Sequence, residues 1–455
     1  MSGCHLHLQK IADALGGRLL GADGAFDGVG SDTRTLQPGQ LFVALQGPNF
    51  DGHDYIAAAA ARGAVAVLVA REVKTELPQI VVADPLAALG ELAALWRVRF
   101  DIPVIVITGS NGKTTVKEML TAILGQKREV LATHGNLNNE IGLPLTLLRL
   151  DGSHQAAVIE AGASKPGDIA YLTRIAAPTV AVLTNAAGAH LAGFGSLESV
   201  ARSKGEIFEE LGEGGTAVIN ADDAFADLWR GLASGHRVLS FALDNDADVR
   251  GQWSPQDVLC SILEITTPEG ELSVALPLPG RHNAMNALAA SAAALAAGCT
   301  LEEIRAGLES LRPVPGRLCW KAGINGACIL DDTYNANPAS LLAALEVLAG
   351  TPSERWLALG DMAELGGEAE ALHASAGRRA FDAGVTRLYA VGELSRFAVD
   401  AFTEQGGGQA WHFNSQEPLI ERLQADLHGS CALLVKGSRS AHMERVVDAL
   451  TEEPA

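Results

Sequence analysis

Short runs of β-branched and aliphatic residues alternate along the chain with longer stretches that are rich in Ala and Leu. This alternation is typical of α/β proteins, in which helices cover largely parallel sheets. The pattern predicts strands at residues 41–45, 65–69, 104–108, 156–160, 179–184, 216–220, 328–332, 356–360, 388–392 and 431–436. We therefore expect an α/β fold with mostly parallel sheets.

Two places interrupt this pattern and are predicted as domain junctions. One is at residues 100–103, directly before the predicted strand 104–108, and the other is at 311–317, where two prolines and a glycine follow a helical segment. A chain of 455 residues is too long for a single hydrophobic core and corresponds to roughly three domains. The predicted domains are residues 1–100, 101–313 and 314–455.

The charge balance excludes one class of partner. The chain has 34 basic and 54 acidic residues, a formal net charge of −20. A protein that binds duplex nucleic acid needs clustered Lys and Arg against the phosphates, so we expect no nucleic-acid partner. Small phosphorylated molecules are still compatible with this charge, since a single loop can bind phosphate on an acidic protein.

Signals for targeting, for membrane insertion and for cysteine-rich sites are not found in the sequence. The N-terminus lacks the basic segment and long apolar core of a signal peptide, and the longest uncharged stretches are interrupted by Pro, Asn and Gly or consist mainly of Ala. Six cysteines are scattered without a CxxC pair, which indicates neither a zinc site nor a disulfide framework. We expect a cytoplasmic protein without membrane contact, and nothing in the sequence demands more than a monomer.

The strongest local signal is the segment 103–120, PVIVITGSNGKTTVKEML, in which a predicted strand leads through a glycine-rich loop into a helical pattern. Glycines let backbone N–H groups converge on phosphate oxygens, and the helix N-terminus adds a favourable dipole. We expect Lys113 to reach the β- and γ-phosphates and the Thr114 hydroxyl to bind Mg²⁺. The general phosphate loop has another glycine where this chain has Ile107, so an ordinary glycine-rich turn is the alternative. The residues predicted to bind ATP here are Gly109, Asn111, Gly112, Lys113, Thr114 and Thr115.

The loop TGSNGKTT resembles the ATP loop of the Mur ligases, the ATP-dependent amide-forming enzymes of peptidoglycan precursor synthesis. Further segments are similar to the same family, in its order, through nearly the whole chain. The resemblance implies an N-terminal domain that binds a UDP-sugar, a central ATPase domain with a phosphate loop, and a C-terminal Rossmann-like ligase domain.

Three residues are candidates for binding Mg²⁺ together with Thr114. Glu160 ends a predicted strand beside the phosphate loop, at the edge of the sheet where ligands gather. His190 lies on a Gly- and Ala-rich loop, and the resemblance assigns it to a second metal ion. Lys204 lies in a helical pattern, where composition alone favours a surface salt bridge; the resemblance implies that CO₂ carbamylates it to a metal-binding carboxylate. The resemblance thus implies two Mg²⁺ ions, with Lys113, His190 and Lys204 as catalytic residues.

Three polar residues further along the chain are similar to nucleotide contacts of the family. Asn283 lies in GRHNAMN, residues 280–286, before an Ala-rich helix; the resemblance assigns it to the adenine, and helix capping is the alternative. Arg317, at the second junction, resembles the family arginine that reaches phosphate from the third domain. Asp332 resembles an aspartate near the nucleotide ribose. A mobile arginine at the junction would let domain closure complete the site.

The remaining candidates are predicted to bind the sugar and peptide substrates. They are Ser31, Asp32, Thr33 and Arg34 for the uridine diphosphate end of the sugar, Asn138, Asn139 and Asn185 on loops of the middle domain, Tyr334, Asn335 and Asn337 after a third-domain strand, and Lys436, Ser438 and Arg439 for an incoming dipeptide. Several of these groups have structural alternatives. SDTR can be an ordinary polar turn, Asn138 and Asn139 can belong to a loop that satisfies its own backbone, and the last group can be a basic loop after a strand. Asn337, followed by Pro338, can be a helix cap.

The resemblance implies a member of the family that joins D-alanyl-D-alanine to UDP-N-acetylmuramoyl-tripeptide through an acyl phosphate. The Asp-Asn-Pro-Arg motif, which recognises diaminopimelate in a sibling enzyme, does not occur in this chain, and this favours the dipeptide-adding member. One alternative is a ligase that adds another amino acid, such as a folylpolyglutamate synthetase. The other is a phosphate-loop NTPase that acts as a switch or binding module.

Overall fold

The computed structural model describes residues 6–187 and 194–451 of the chain. Three α/β units follow one another along the sequence, each built on its own main sheet. Within the described residues, no helix is both long enough and apolar enough to cross a membrane.

The first unit has a five-stranded sheet in the order β2-β9-β8-β5-β4, in which only β2 is antiparallel to its neighbour, and two small antiparallel strand pairs. Its elements are β1 (Leu6–His7), α1 (Leu8–Ala14), β2 (Arg18–Leu20), β3 (Ala25–Phe26), β4 (Val29–Gly30), β5 (Leu41–Val43), β6 (Gln46–Gly47), β7 (Phe50–Asp51), α2 (Ile56–Ala61), β8 (Ala66–Val69), β9 (Gln79–Val81) and α3 (Pro85–Arg97). Helix α3 also contacts the second unit, since Trp96 Nε1 donates to the carbonyl of Leu150 at 2.9 Å.

The second unit has a nine-stranded sheet in the order β11-β12-β10-β13-β14-β15-β16-β17-β18. Its elements are β10 (Val104–Thr108), α4 (Lys113–Leu124), β11 (Val130–Ala132), α5 (Gly142–Leu147), β12 (Ala156–Glu160), α6 (Asp168–Ala176), β13 (Val180–Leu183), α7 (Leu197–Glu209), β14 (Thr216–Asn220), α8 (Ala226–Leu232), β15 (Arg237–Ala242), β16 (Val249–Pro255), β17 (Ser261–Thr267), β18 (Gly270–Leu276), α9 (Arg281–Ala296) and α10 (Leu301–Glu309). Strands β11 to β16 are parallel, whereas β16, β17 and β18 pair antiparallel.

The third unit has a six-stranded sheet in the order β19-β20-β24-β21-β22-β23, parallel except for β19. Its elements are β19 (Cys319–Ala322), β20 (Cys328–Asp332), α11 (Pro338–Ala349), β21 (Glu354–Gly360), α12 (Ala369–Asp382), β22 (Arg387–Val391), α13 (Arg396–Glu404), β23 (Gln409–Phe413), α14 (Gln416–Asp426), β24 (Cys431–Lys436) and α15 (Glu444–Leu450). Trp320 of β19 contacts the second unit, because its Nε1 donates to the carbonyl of Val258 at 2.8 Å.

The predicted fold class is confirmed. All of the predicted strands are present, and five of them, at 104–108, 156–160, 216–220, 328–332 and 431–436, have the predicted bounds. Strands β10, β12 and β14 are buried along their whole length, as expected for a parallel sheet covered by helices on both faces. The antiparallel extension at 249–276 was not predicted, because its strands alternate polar and apolar residues rather than forming continuous apolar runs.

Candidate active site between the second and third units

A cleft of about 1510 Å³ lies between the second and third units. The carboxyl ends of β10, β12 and β13 contribute loops from one side, and those of β20 and β24 contribute loops from the other. Ligands of open α/β sheets bind beyond the carboxyl ends of the strands. The predicted site residues that line it are Asn111, Gly112, Lys113, Thr114, Thr115, Asn138, Asn139, Glu160, Asn185, Lys204, Asn283, Arg317, Asp332, Tyr334, Asn335, Asn337, Lys436, Ser438 and Arg439.

The phosphate loop requires glycine at two positions. Gly109 and Gly112 have φ of 147° and 86°, a backbone conformation that L side chains rarely adopt. A Cβ on Gly109 would collide with Thr184 Oγ1, and one on Gly112 would collide with Asn286 Oδ1. Helix α4 begins directly after Gly112, so the loop opens onto the helix N-terminus, which is a favourable place for phosphate.

The loop after β13 supports the phosphate loop. Thr184 Oγ1 donates to the Asn111 carbonyl at 2.6 Å, and Asn185 Oδ1 accepts from the Asn111 backbone N–H at 3.0 Å. Asn185 Nδ2 also donates to the same carbonyl, at 3.1 Å. The amide of Asn185, predicted to bind substrate, therefore holds the backbone of the phosphate loop.

The Lys113 side chain folds back over the phosphate loop, which precedes it in the chain. Its Nζ donates to the Gly109 carbonyl at 2.6 Å. Burial lowers the pKa of the Lys113 ammonium; the carboxylate of Glu160 opposes this shift, and the positive charge of Arg317 adds to it. Charged side chains of both the second and the third unit therefore act on the Lys113 ammonium.

Glu160 is a buried carboxylate with an unpartnered oxygen. The residue is 1% exposed at the end of β12. Its Oε1 has no hydrogen-bond partner within the described residues, and its Oε2 has a long contact with Asn138 Nδ2, at 3.5 Å. A buried carboxylate with a single long hydrogen bond is costly unless a cation pairs with it, and carboxylate oxygen is a ligand that Mg²⁺ prefers. The carboxylate therefore fits a divalent cation, although the described residues contain no cluster of three His, Cys, Asp or Glu side chains that could hold a metal.

Lys204 lies on α7 and is 2% exposed. Burial and the nearby charge of Lys113 lower the pKa of its amine well below the usual value. The structure does not support the surface salt-bridge interpretation, because the residue is buried. A lowered pKa favours the neutral amine, which is the form that reacts with CO₂. His190, the other candidate for the metal site, lies outside the described residues.

Arg317 connects the third unit to the phosphate loop. Its Nη2 donates to Thr114 Oγ1 at 2.8 Å, and its guanidinium lies over the Tyr334 ring, 4.1 Å from the ring centroid. Its Nε is buried and has no partner within the described residues. The hydroxyl that we expect to bind Mg²⁺ is therefore in contact with an arginine in this structure.

Asn337 makes a second contact between the units. Its Oδ1 accepts from the Ser340 backbone N–H and caps α11, while its Nδ2 donates to Asn111 Oδ1 at 2.7 Å. The predicted helix cap is confirmed, and the same amide also contacts the phosphate loop.

Asp332 and Lys436 form an ion pair where β20 and β24 end side by side. Lys436 Nζ also donates to the Asn335 carbonyl at 2.9 Å. These two contacts direct the ammonium towards the proposed ribose aspartate. Burial lowers the pKa of the neighbouring His282 to about 4; Asp332 opposes this shift and Lys436 adds to it.

Asn283 is buried within the first turn of α9. The cap position of this helix is Gly280, so the capping interpretation of Asn283 is wrong. Its Nδ2 donates to the Pro279 carbonyl at 2.7 Å, and its Oδ1 accepts from Asn286 Nδ2 at 3.3 Å.

The other substrate candidates differ in what their side chains contact. Asn139 Oδ1 accepts from the Gly142 backbone N–H at 2.9 Å, as the alternative of a self-satisfied loop predicts. Ser438 Oγ donates to the Asp361 carbonyl at 2.6 Å. Arg439 has a side chain that is 65% exposed and a 3.5 Å contact with Glu444, so it is the most accessible of the three residues predicted for the dipeptide.

Four predicted residues of the first unit are not brought to the cleft. Ser31, Asp32, Thr33 and Arg34 do not line it, and the Asp32 carboxylate accepts from the Arg34 guanidinium, with Nη2 and Oδ2 2.6 Å apart. Their assignment to the uridine diphosphate stays a prediction.

Sequence reasoning missed Lys117, Thr133, Thr184 and Asn286 as contributors to the site. Lys117 and Asn286 are buried polar residues within helices. Thr133 and Thr184 are also buried, and they directly follow the strands β11 and β13. The sequence signal that could have indicated these residues is a polar side chain at a position where the surrounding pattern is apolar.

Family models match most of the chain. A Mur ligase family catalytic-domain model matches residues 25–97, the Mur ligase middle-domain model matches 107–294, and the Mur ligase glutamate-ligase domain model matches 316–439.

Related proteins match over nearly the whole length. The UDP-N-acetylmuramoyl-tripeptide–D-alanyl-D-alanine ligase of Escherichia coli (strain K12) is 47% identical over 449 residues, which cover 98% of each chain. The crystal structure of MurF from Acinetobacter baumannii has a TM-score of 0.92 and 35% identity, covering 98% of this chain and 99% of that one. The MurF ligase of Thermotoga maritima in complex with ADP has a TM-score of 0.82 and 30% identity, covering 92% and 96%. With these matches and the phosphate-loop geometry together, the chain belongs to the Mur ligase family.

Proposed function

We propose that this chain is an ATP-dependent ligase that joins D-alanyl-D-alanine to UDP-N-acetylmuramoyl-tripeptide and forms ADP and phosphate, in peptidoglycan synthesis. The observation that carries the proposal is the contact of Arg317 with Thr114, which brings the third unit onto the phosphate loop. The full-length similarity to an E. coli protein of that activity supports the choice of substrates, and the ADP complex of the Thermotoga relative supports ATP binding.

The chemistry has two steps. A carboxylate oxygen of the tripeptide forms a bond to the γ-phosphorus of ATP while the bond to ADP breaks. The amine of the dipeptide then attacks the carbonyl carbon of this acyl phosphate, and phosphate leaves as the amide forms and the amine loses a proton. Phosphorylation is needed because a free carboxylate is a poor acyl donor. The protein contributes mainly by positioning the reactants and neutralising charge.

The positive groups around the phosphate loop are suited to this task. Lys113 and Arg317 approach the loop from the two units, and the backbone from Gly109 to Thr115 would hold the phosphates. Cations on two sides of the transferred phosphoryl group stabilise the transition state, because they offset the negative charge that develops there.

Two Mg²⁺ ions are part of this proposal. The residues that would hold them are Thr114, Glu160, His190 and a carbamylated Lys204. The unpartnered Oε1 of buried Glu160 and the lowered pKa of Lys204 support this assignment. When bound, Mg²⁺ supplies positive charge against the phosphate and carboxylate oxygens.

The nucleotide and the substrates are assigned to different residues. Asn283 and Asp332 are proposed for the adenine and ribose, and Lys436 is proposed to hold Asp332 through the ion pair. For the dipeptide we retain Ser438 and Arg439, of which Arg439 is accessible. The tripeptide and sugar would be bound by residues 31–34 of the first unit, by Asn138, Asn139 and Asn185, and by the loop with Tyr334, Asn335 and Asn337.

We also propose domain boundaries after residues 100 and 313, which fall between the sheets of successive units. We propose a cytoplasmic location, since ATP is available in the cytoplasm, and a monomer. The net charge of −20 disfavours nucleic acid and anionic membrane surfaces as partners.

The test is phosphate release by the purified protein with one component omitted at a time. Release that needs ATP, the UDP-linked tripeptide and D-alanyl-D-alanine together is the expected result. Equal release with ATP alone would indicate an NTPase switch, and release with another amino acid in place of the dipeptide would indicate a different ligase. The Lys113→Ala variant should abolish release in every case, so it serves as the background control.

A further inference from the structure

Lys117 is a buried lysine beside the phosphate loop that the proposed reaction does not use. It lies on α4 one helical turn after Lys113, and its side chain is 5% exposed. Lysine is almost never fully buried unless its ammonium is paired. The burial of the Lys117 ammonium therefore needs a specific structural explanation.

The ammonium of Lys117 has two partners. Its Nζ donates to the Thr133 carbonyl at 2.9 Å, and Glu118 Oε1 is 2.7 Å away. Glu118 lines the cleft. Lys117 thus links helix α4, which starts at the phosphate loop, to the segment that follows β11.

Thr133 in turn contacts Glu160. Its Oγ1 accepts from the Glu160 backbone N–H at 2.9 Å, and its own N–H donates to the Val158 carbonyl at 3.1 Å. Thr133 is 1% exposed. The end of β12 is therefore held, through one threonine, at a set position relative to α4.

We propose that Lys117 is a positioning residue, which holds the Glu160 carboxylate in register with the phosphate loop and so sets the affinity for the divalent cation at the nucleotide. The inference rests on the proposed function only in that Glu160 binds this cation. It does not depend on which peptide or amine is joined.

The reason for an ammonium at this place is its donor capacity. An ammonium can donate several hydrogen bonds and carries the charge that Glu118 pairs with. Without it, the buried Thr133 carbonyl would lose its donor and Glu118 its cation. Partners that orient metal ligands typically contribute about 10- to 100-fold in metal affinity.

The test measures Mn²⁺ binding, by the electron paramagnetic resonance signal of free Mn²⁺, in the presence of a non-hydrolysable ATP analogue. We expect Lys117→Met to weaken Mn²⁺ binding about tenfold, with the metal-free affinity for the analogue changed less than about twofold, which is within the scatter of surface substitutions. Lys117→Arg should restore part of the loss. Lys127→Met is the matched control, because Lys127 follows the same helix but its side chain is 67% exposed.

Thr133→Val provides an independent variant if Lys117→Met does not fold. It keeps the side-chain shape and removes the acceptor for the Glu160 N–H, and it should weaken Mn²⁺ binding to a similar extent. The fold loss of Mn²⁺ affinity in the double variant should be smaller than the product of the two single losses, because both residues belong to the same series of contacts. Unchanged Mn²⁺ affinity in either folded variant overturns the proposal. Because no peptide substrate is present, this outcome is distinct from a failure of the proposed ligase activity.

Discussion

Arg317 of the third unit donates a hydrogen bond to Thr114 of the phosphate loop, with Nη2 and Oγ1 2.8 Å apart. Thr114 is the residue whose hydroxyl we propose as a ligand of Mg²⁺. Because Nη2 already donates to one of the two lone pairs of this oxygen, the proposed cation would either share the oxygen with the guanidinium or displace it. The Tyr334 ring below Arg317 offers a surface along which this can occur.

The first prediction is that Arg317→Lys lowers the rate of amide formation about 100-fold, the effect that loss of one hydrogen-bond donor has at other transition states. Lysine has the charge but lacks the planar group that stacks on Tyr334 and reaches Thr114 at once. Steady-state phosphate release with all substrates measures the effect, and Arg230→Lys, at an exposed position of α8, is the control. A rate within about twofold of wild type would contradict the role of the guanidinium, since that is the scatter of surface changes.

The second prediction concerns Lys204. Lys204→Ala should remove most activity, and added formate or acetate should restore part of it by replacing the carbamate oxygens. In wild type, ¹³C-labelled bicarbonate should produce a carbamate signal in the NMR spectrum that Lys204→Ala lacks. The lowered pKa of the amine favours its neutral form, so the carbamate should form nearer to neutral pH than on an exposed lysine.

Exposed Lys165 supplies the control for this experiment, as Lys165→Ala. Full activity of Lys204→Ala without any added carboxylate would exclude the carbamate as part of the site.

The third prediction separates the two contacts of Asn337. Asn337→Asp keeps the oxygen that caps α11 but loses the donor to Asn111. We therefore expect an unfolding temperature like that of the wild type and a lower rate of amide formation. One neutral hydrogen bond corresponds to about 1 kcal/mol, or roughly a fivefold change in rate. Asn337→Ala should lose the cap as well, at a cost of about 1 kcal/mol in the free energy of unfolding.

Thr300→Ala is the counterpart, because Thr300 caps α10 and does not line the cleft. It should lower the unfolding temperature and leave the rate unchanged. If Asn337→Asp behaves in the same way, the contact with Asn111 has no part in the reaction.

The fourth prediction is a pH dependence of stability. Burial lowers the pKa of His282 from 6.5 to about 4 in the folded protein. The unfolded chain binds the proton more readily, so the free energy of unfolding has a contribution that is full above pH 6.5 and is lost as the pH falls towards 4. For a partly exposed side chain this amounts to about 2 kcal/mol at most.

Urea unfolding at pH 7 and pH 5 measures this contribution as the difference between wild type and His282→Asn. The variant should be less sensitive to acid than wild type. The substitution His7→Asn, at an exposed histidine, should leave the pH dependence as it is. Parallel pH curves for wild type and His282→Asn would show that the depressed pKa is wrong.

The parts of the fold that continuous apolar runs encode could be predicted, and several strands have the predicted bounds. The antiparallel strands β16 to β18 were missed, since one face of each is exposed and their residues alternate. Within the site, Lys113 and Glu160 were predicted from their residue types in and beside the phosphate loop, and Arg317 was predicted from the family resemblance; all three line the cleft. Lys117 and Thr133 were missed, because their importance lies in a carbonyl and a backbone N–H that only the folded chain brings together.

The hydrogen bond between Trp320 and the Val258 carbonyl joins the second and third units outside the cleft, since neither residue lines it. Trp320 follows Arg317 by three residues. A swing that carries Arg317 and Asn337 off the phosphate loop must therefore either detach the indole or turn around it. In the second case the indole would be the pivot of the rotation, and the loops that the two units contribute to the cleft would move apart.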